Sequence, residues 1–96
     1  MMKKKEHTLL SELANLGPTS ERMLNAIGIF NQEQVENTDP VEAYMKMKSR
    51  GMKVSINIIY AIYGAIHTLH WTRIPVEERS RLIHKLDAAL QQAKQH

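Results

Sequence analysis

A group of basic residues in the middle of the chain is the first candidate for binding chemistry. Four of them fall within eight positions that contain no acidic residue: Lys46, Lys48, Arg50 and Lys53. Such side chains neutralise phosphate groups, and this electrostatic term dominates nucleic-acid binding. Gly51 and the backbone N–H groups that follow Ser55 could cooperate in the contact. The pattern indicates a candidate nucleic-acid site, but we favour the alternative of a solvated helix end, where the helix dipole favours cations.

A second candidate is the stretch from Leu13 to Ile29, which has the pattern of a helix, a glycine turn, another helix and a second glycine stop. In such a hairpin, the turn and the first N–H groups of the next helix can approach a phosphate. The positions concerned are Gly17, Thr19, Ser20 and Arg22. Because Glu12 and Glu21 lie close in sequence and Arg22 is the only nearby cation, we favour a structural hairpin over a phosphate site.

Metal binding and catalysis have little support in the residue types and their spacing. His67 and His70 are three residues apart, as two metal ligands on one helix face would be, but no third ligand is evident near them. We therefore favour packing and capping roles for both histidines. No pair of carboxylates is placed for acid–base chemistry, and Ser20 and Ser55 resemble helix-start residues rather than nucleophiles. The sequence predicts a protein that is not an enzyme and has no cofactor or metal.

Two apolar residues in the predicted connections between helices are candidates for contact with a partner. Met52 lies in the glycine turn, whereas Met23, Met45 and Met47 have helical spacing and are predicted to fill the core. Trp71 lies in the connector over residues 70–74, where it either anchors the connector to the core or contributes to a partner surface.

The elements that must position these residues are all predicted to be helices, since no segment has the alternation typical of a strand. Helices are predicted over residues 8–15, 18–27, 41–50 and 56–69, with a short one after Asn31 and a last one from Pro75 onward. Asn31, Asp39 and Ser55 are the predicted N-caps, and Gly28 and Gly51 end two of the helices. Gly17 and Gly51 each lie between two predicted helices, which suggests two similar helix–hairpin–helix units.

Length and composition indicate one globular domain. The chain has 96 residues, of which 43% are hydrophobic and 24% charged, and it contains no cysteine, which fits a reducing cytosol. Residues 1–7 are predicted to be a flexible basic N-terminus, residues 8–92 the helical domain, and residues 93–96 a frayed tail. The most apolar stretch, residues 54–69, is interrupted by polar residues and is too short for a membrane span.

Charge is distributed unevenly along the chain. Residues 6–42 contain seven acidic residues and one arginine, whereas residues 43–96 contain nine basic and three acidic residues. Blocks of opposite sign can attract each other across a fold or serve different partners.

Several separated motifs resemble the C-terminal domain of TfoX-type competence regulators. Residues 15–24 with 26–29 resemble the opening of that domain, and Val41–Tyr44 resembles its middle helix. Gly51 through Ile62, then Gly64–Ala65 and His70–Trp71, resemble its second half, so the resemblance covers about residues 9–90. It implies an all-helical domain of SAM-like, helix–hairpin–helix character and a role in regulating genes for DNA-uptake competence, and it brings no catalytic residues.

We therefore predict an all-α fold, a single small domain of five or six short helices of the SAM-like or helix–hairpin–helix type. The predicted function is that of a cytoplasmic, non-enzymatic adaptor that binds a partner protein in a transcription or competence-regulation context. One alternative is direct DNA binding through the basic turn around Gly51. Another is a homodimer in which the acidic front of one copy pairs with the basic back of the other.

Overall fold

The computed structural model describes residues 16–94, which form five α-helices and one 3-10 turn. The helices are α1 (Pro18–Ala26), α2 (Gln32–Glu36), α3 (Pro40–Ser49), α4 (Asn57–His67) and α5 (Val76–Lys94), and the 3-10 turn spans Trp71–Arg73. These residues contain no strand, so the prediction of an all-α fold is confirmed. The predicted flexible N-terminus over residues 1–7, the predicted helix over residues 8–15 and the last two residues of the predicted tail lie outside the described residues.

Side chains that precede the helices set where α2 and α3 begin. The Asn31 side chain accepts a hydrogen bond from the N–H of Gln34 at 2.9 Å. The Asp39 carboxylate accepts hydrogen bonds from the N–H groups of Val41 at 2.8 Å and Glu42 at 3.1 Å. Each oxygen satisfies helix N–H groups that have no acceptor within the helix, so both predicted N-caps are confirmed.

The central helix differs from its predicted bounds by one or two residues at each end. Ile56 adopts a helical backbone conformation and occupies the cap position, so α4 begins at Asn57. The Ser55 hydroxyl nevertheless accepts the Asn57 N–H at 3.3 Å. At the other end, Thr68 adopts a left-handed conformation with φ of 56°, which stops the helix at His67 rather than Leu69.

Two glycines end α1 and α3 by the same local motif. Gly28 and Gly51 have φ angles of 91° and 77°, in the left-handed region that favours glycine. After Gly28, the N–H of Ile29 bonds to the carbonyl of Leu24 at 2.9 Å. The N–H of Met52 bonds to the carbonyl of Met47 in the same way at 3.1 Å. Both ends are therefore Schellman motifs, as the pattern of a glycine after each helix predicted.

Gly17 is not equivalent to these two glycines. It comes directly before α1, and its backbone is extended, with φ of −111° and ψ of −171°. Its carbonyl accepts the Glu21 N–H at 2.9 Å, which is the first hydrogen bond of α1. Gly17 and Gly51 therefore differ in conformation, as the start of a helix differs from the end of one. The suggested repeat of two helix–hairpin–helix units stays a prediction, because residues 8–15 lie outside the described residues.

The hydrophobic core is centred on α4, which packs against α2, α3 and the 3-10 turn. Its isoleucines at 58, 59 and 62 are buried, as predicted for a central helix. They meet fully buried side chains from three other helices: Leu24, Val35, Val41 and Met47. Met23 and Met45 are partly buried against this core. No helix within residues 16–94 is both long and apolar enough to cross a membrane.

Asp39 also joins α3 to α5, since its carboxylate forms an ion pair with Lys85. Burial alone would raise the pKa of Asp39, but the hydrogen bonds from Lys85 and from the Glu42 and Val41 N–H groups, with the charge of Lys85, hold the pKa below its ordinary value. A carboxylate with a depressed pKa stabilises the fold above its unfolded-state pKa of about 4, and this contribution is lost as pH falls through the folded-state pKa.

We expect Asp39→Ala to lower the free energy of unfolding by about 1–2 kcal/mol at neutral pH, because it removes an N-cap and an ion pair. Asp39→Asn keeps an acceptor for the helix N–H groups and should lose less. Urea denaturation at several pH values measures both. The difference between wild type and Asp39→Ala should shrink below about pH 4, and a difference that stays constant with pH would contradict the role of the charge.

Candidate functional site

Residues from four segments of the chain line an open groove on one side of the domain. The groove has a volume of about 510 Å³, and we call it the Trp71 groove. It is lined by residues from α1, the loop before α4, α4 itself and the 3-10 turn: Ser20, Met23, Lys53, Val54, Ser55, Asn57, Ile58, Ala61 and Trp71. Apolar side chains from all four segments contribute to the lining, together with two hydroxyl groups, an amide and one amine. The groove can therefore accommodate an apolar side chain of a bound molecule, and its hydroxyl, amide and amine groups can contact polar atoms next to that side chain.

Trp71 forms part of the wall of this groove, and 46% of its surface is accessible to solvent. The ring of His70 stacks beside it, with centroids 5.9 Å apart and an interplanar angle of 29°. His70 also caps the 3-10 turn, because its ring nitrogen accepts the N–H of Thr72 at 3.3 Å. Of the two roles predicted for Trp71, its exposure favours a contribution to a surface over an anchor buried in the core.

Arg79 connects the 3-10 turn to α5, a role that no sequence pattern indicates. Its guanidinium lies near the carbonyl oxygens of Trp71 at 3.4 Å and Thr72 at 3.5 Å. The same group lies 5.8 Å from the centroid of the Tyr60 ring on α4, within the range of a cation–π contact. Arg79 therefore helps to hold Trp71 in position between α4 and α5.

The basic residues of the predicted nucleic-acid site do not all meet in one place. Lys53 lines the Trp71 groove, whereas Lys46 lines a different groove between α3 and α5, together with Lys85. The Arg50 guanidinium donates a hydrogen bond to the carbonyl of Ala26 at 3.0 Å, which joins the ends of α3 and α1. Lys48 is exposed on α3. Arg50 thus has a structural contact, and only Lys53 of the four meets Ser55 at the groove.

Three of the backbone N–H groups after Ser55, those of Asn57, Ile58 and Ile59, already have acceptors within the chain. The N–H of Asn57 donates to the Ser55 hydroxyl at 3.3 Å, and that of Ile58 donates to the Ser55 carbonyl at 3.1 Å. The N–H of Ile59 donates to the carbonyl of Ile56 at 2.9 Å, and that of Gly51 to Lys48 at 2.9 Å. A phosphate at this turn would have to compete with these hydrogen bonds, which weakens the case for a backbone anion site here.

The residues predicted from the first hairpin separate in a similar way. Ser20 lies in the third position of α1 and reaches the Trp71 groove, where it faces the loop that carries Lys53. Thr19 and Arg22 are exposed. Gly17 caps the helix through its carbonyl only. Ser20 is therefore the member of this set that the fold brings to the groove.

Met52 and the two histidines have packing contacts. Met52 is partly buried against the core rather than lining the Trp71 groove. His67 lies against Tyr63, with ring centroids 4.2 Å apart, and His70 lies against Trp71. Within residues 16–94, no group of three or more histidine, aspartate or glutamate residues could hold a metal ion.

Comparison with known proteins bears on the fold and the family. The sequence pattern of the TfoX C-terminal domain family matches residues 6–86. The crystal structure of an uncharacterized protein from Listeria monocytogenes, in a triclinic form, is similar to this chain with a TM-score of 0.77 and 23% sequence identity. The match covers 85% of this chain and 93% of that chain, and it shows a shared fold. No curated protein sequence matches significantly.

The matched family is of a regulatory rather than an enzymatic type and suggests a competence-related regulatory role. Since the family pattern spans most of the sequence, the chain belongs to the TfoX C-terminal domain family.

Proposed function

We propose that this protein is a non-enzymatic adaptor that binds a partner protein through the Trp71 groove, in the context of transcription or competence regulation. The observation that carries the proposal is the half-exposed Trp71 on the wall of a groove of about 510 Å³ with apolar lining. Tryptophan is enriched among the few residues that supply most of the binding energy at protein interfaces. An exposed tryptophan beside an apolar groove is therefore well suited to a protein contact.

The groove also has the adaptable lining that partner binding uses. Met23 is only partly buried, and its unbranched side chain can adjust to the shape of a bound group. Val54 and Ala61 are likewise half-buried beside it. Burying such surface against a partner contributes about 25 cal/mol for each Å² of apolar area removed from water. The hydroxyl and amide groups at Ser20, Ser55 and Asn57 can satisfy polar atoms of the partner backbone.

The lining residues support binding rather than a reaction. Lys53 is the one ionisable side chain among the nine described lining residues, so these residues contain no pair of groups for general acid and base catalysis. Ser20 and Ser55 line the groove, and the other described lining residues include no histidine or carboxylate that could activate their hydroxyl groups.

Direct DNA binding through the basic turn around Gly51 is the second candidate function. Lys48 and Lys53 favour it, because both are exposed and carry positive charge in a segment without acidic residues. Arg50 is less suited, since its guanidinium already bonds to Ala26. Binding of this kind should weaken steeply between low and physiological salt. Lys48→Glu combined with Lys53→Glu should abolish it, as a mobility-shift titration would show.

Affinity capture from the native cell, with and without nuclease, separates the two candidates. The full chain is the bait, and the captured proteins are identified at physiological salt. Adaptor function predicts that the same proteins remain bound after nuclease treatment. It also predicts that they are released only gradually as the salt concentration is raised. Loss of every captured protein on nuclease treatment would contradict the adaptor and favour DNA binding.

A further inference from the structure

The described lining of the Trp71 groove carries a positive charge, and it contains no acidic residue that would compensate this charge. Lys53 is exposed, and its amine has no carboxylate partner among residues 16–94. Among residues 16–94, no aspartate or glutamate lines the groove. Both α1 and α4 begin beside it, so the positive ends of two helix dipoles add to the charge of Lys53.

The groove between α3 and α5 provides an internal contrast. It has an apolar lining that includes Val41 and Met45, but charges of both signs surround it. Glu42 lies beside Lys46 in its lining, and Lys85 is already paired with Asp39. An uncompensated positive charge next to an apolar surface is therefore a property of the Trp71 groove and not of every groove in the described part of the domain.

We propose, on the basis of the function proposed above, that the occupant of the Trp71 groove is an acidic-apolar segment of a partner protein. Such a segment places an aromatic or aliphatic side chain against Trp71, Met23 and Ile58. It places an aspartate or glutamate from a neighbouring position beside the amine of Lys53. The charge of the groove complements this carboxylate, and complementary charges give an interface its specificity more than its overall affinity.

A nucleic acid fits the same groove less well. A base could stack on Trp71 while a phosphate meets Lys53, as in single-strand binding proteins. Those sites track the backbone with a series of cations, whereas Lys53 is the single cation among the described residues that line this groove. The remaining lining from Met23, Val54, Ile58 and Ala61 is apolar, which suits an aliphatic or aromatic side chain better than a sugar–phosphate backbone.

The test begins with selection of a displayed random-peptide library on the full-length protein. We expect enriched peptides that carry an aromatic or aliphatic residue within a few positions of aspartate or glutamate. The tightest of these is then synthesised, together with a version in which its acidic residues are replaced by lysine. Binding of both is measured against wild type, Lys53→Glu and the control Lys48→Glu, whose exposed lysine lies on α3 outside the groove.

Lys53→Glu should weaken binding of the acidic peptide by about 5- to 10-fold, since it removes an exposed ion pair and adds repulsion. It should strengthen binding of the lysine version, and Lys48→Glu should change neither. Equal effects of Lys53→Glu and Lys48→Glu would overturn the proposal, because they would show a non-specific charge effect.

The remaining outcomes separate this inference from the proposed function. Enriched peptides that need Trp71 but contain no acidic residue would overturn the inference and leave the adaptor function standing. Failure to enrich any peptide that needs Trp71 would overturn both. Displacement of the selected peptide by a single-stranded oligonucleotide, with loss of that competition in Lys53→Glu, would assign the groove to nucleic acid instead.

Discussion

Trp71→Ala is expected to weaken binding of a partner protein by at least about 30-fold while leaving the helical fold in place. Removal of a central tryptophan from an interface costs about 2 kcal/mol or more, which is the basis of this figure. The fold should survive because Trp71 is 46% exposed and is not part of the buried core cluster. Isothermal titration with a captured partner, or with a selected peptide, measures the affinity.

Phe30→Ala is the matched control for this experiment. Phe30 is also an exposed aromatic residue, with 60% of its surface accessible, but it does not line the Trp71 groove. Its removal should leave the affinity within about twofold of wild type, as is typical of a residue outside the energetic centre of an interface. Circular dichroism and urea denaturation confirm that both variants are folded. Equal affinity of Trp71→Ala and wild type would contradict the proposed site.

The largest effect on stability is expected from Ile59→Ala, at the centre of the core. Ile59 is 0% exposed on α4, and truncation of a fully buried isoleucine costs about 2–5 kcal/mol through lost apolar burial and the cavity left behind. A domain of this length has a total stability of roughly 5–14 kcal/mol, so the variant is expected to approach the threshold of unfolding at room temperature. The midpoint of urea denaturation measures the change.

Ile56→Ala serves as the comparison within the same segment. Ile56 precedes α4 and is 39% exposed, so its truncation leaves no buried cavity and should cost less than about 1 kcal/mol. Similar losses of stability in Ile56→Ala and Ile59→Ala would contradict the placement of the core around α4.

The helix ends illustrate what the sequence could predict. Asn31 and Asp39 cap the helices that follow them, and Gly28 and Gly51 adopt left-handed conformations after the helices that precede them. These interactions join residues within about five positions of each other, so local residue types determine them. α4 begins one residue later than predicted, because Ile56 occupies the cap position while the Ser55 hydroxyl accepts the hydrogen bond from the Asn57 N–H.

The Trp71 groove illustrates what the sequence could not predict. The sequence singles out Ser20, Lys53 and Trp71 for three separate reasons, and only the folded arrangement of α1, the loop before α4 and the 3-10 turn brings them to one groove. The contact of Arg50 with Ala26, and that of Arg79 with the 3-10 turn, likewise depend on how helices dock. No local pattern distinguishes such an arginine from one that is free in solvent, which is why the basic turn suggested a cluster that the fold disperses.

Site-specific photocrosslinking in the native cell tests the central claim most directly, because it asks which surface touches a partner. A photoreactive amino acid is placed, one position at a time, at three exposed residues: Asn57 at the Trp71 groove, Gln92 at the groove between α3 and α5, and Lys48 near the basic turn. We predict a protein adduct from position 57 that disappears when Trp71→Ala is added, and none from position 92 or 48. A protein adduct from position 92, or a nucleic-acid adduct from position 48, with none from position 57, would contradict the assignment of the Trp71 groove as the working surface.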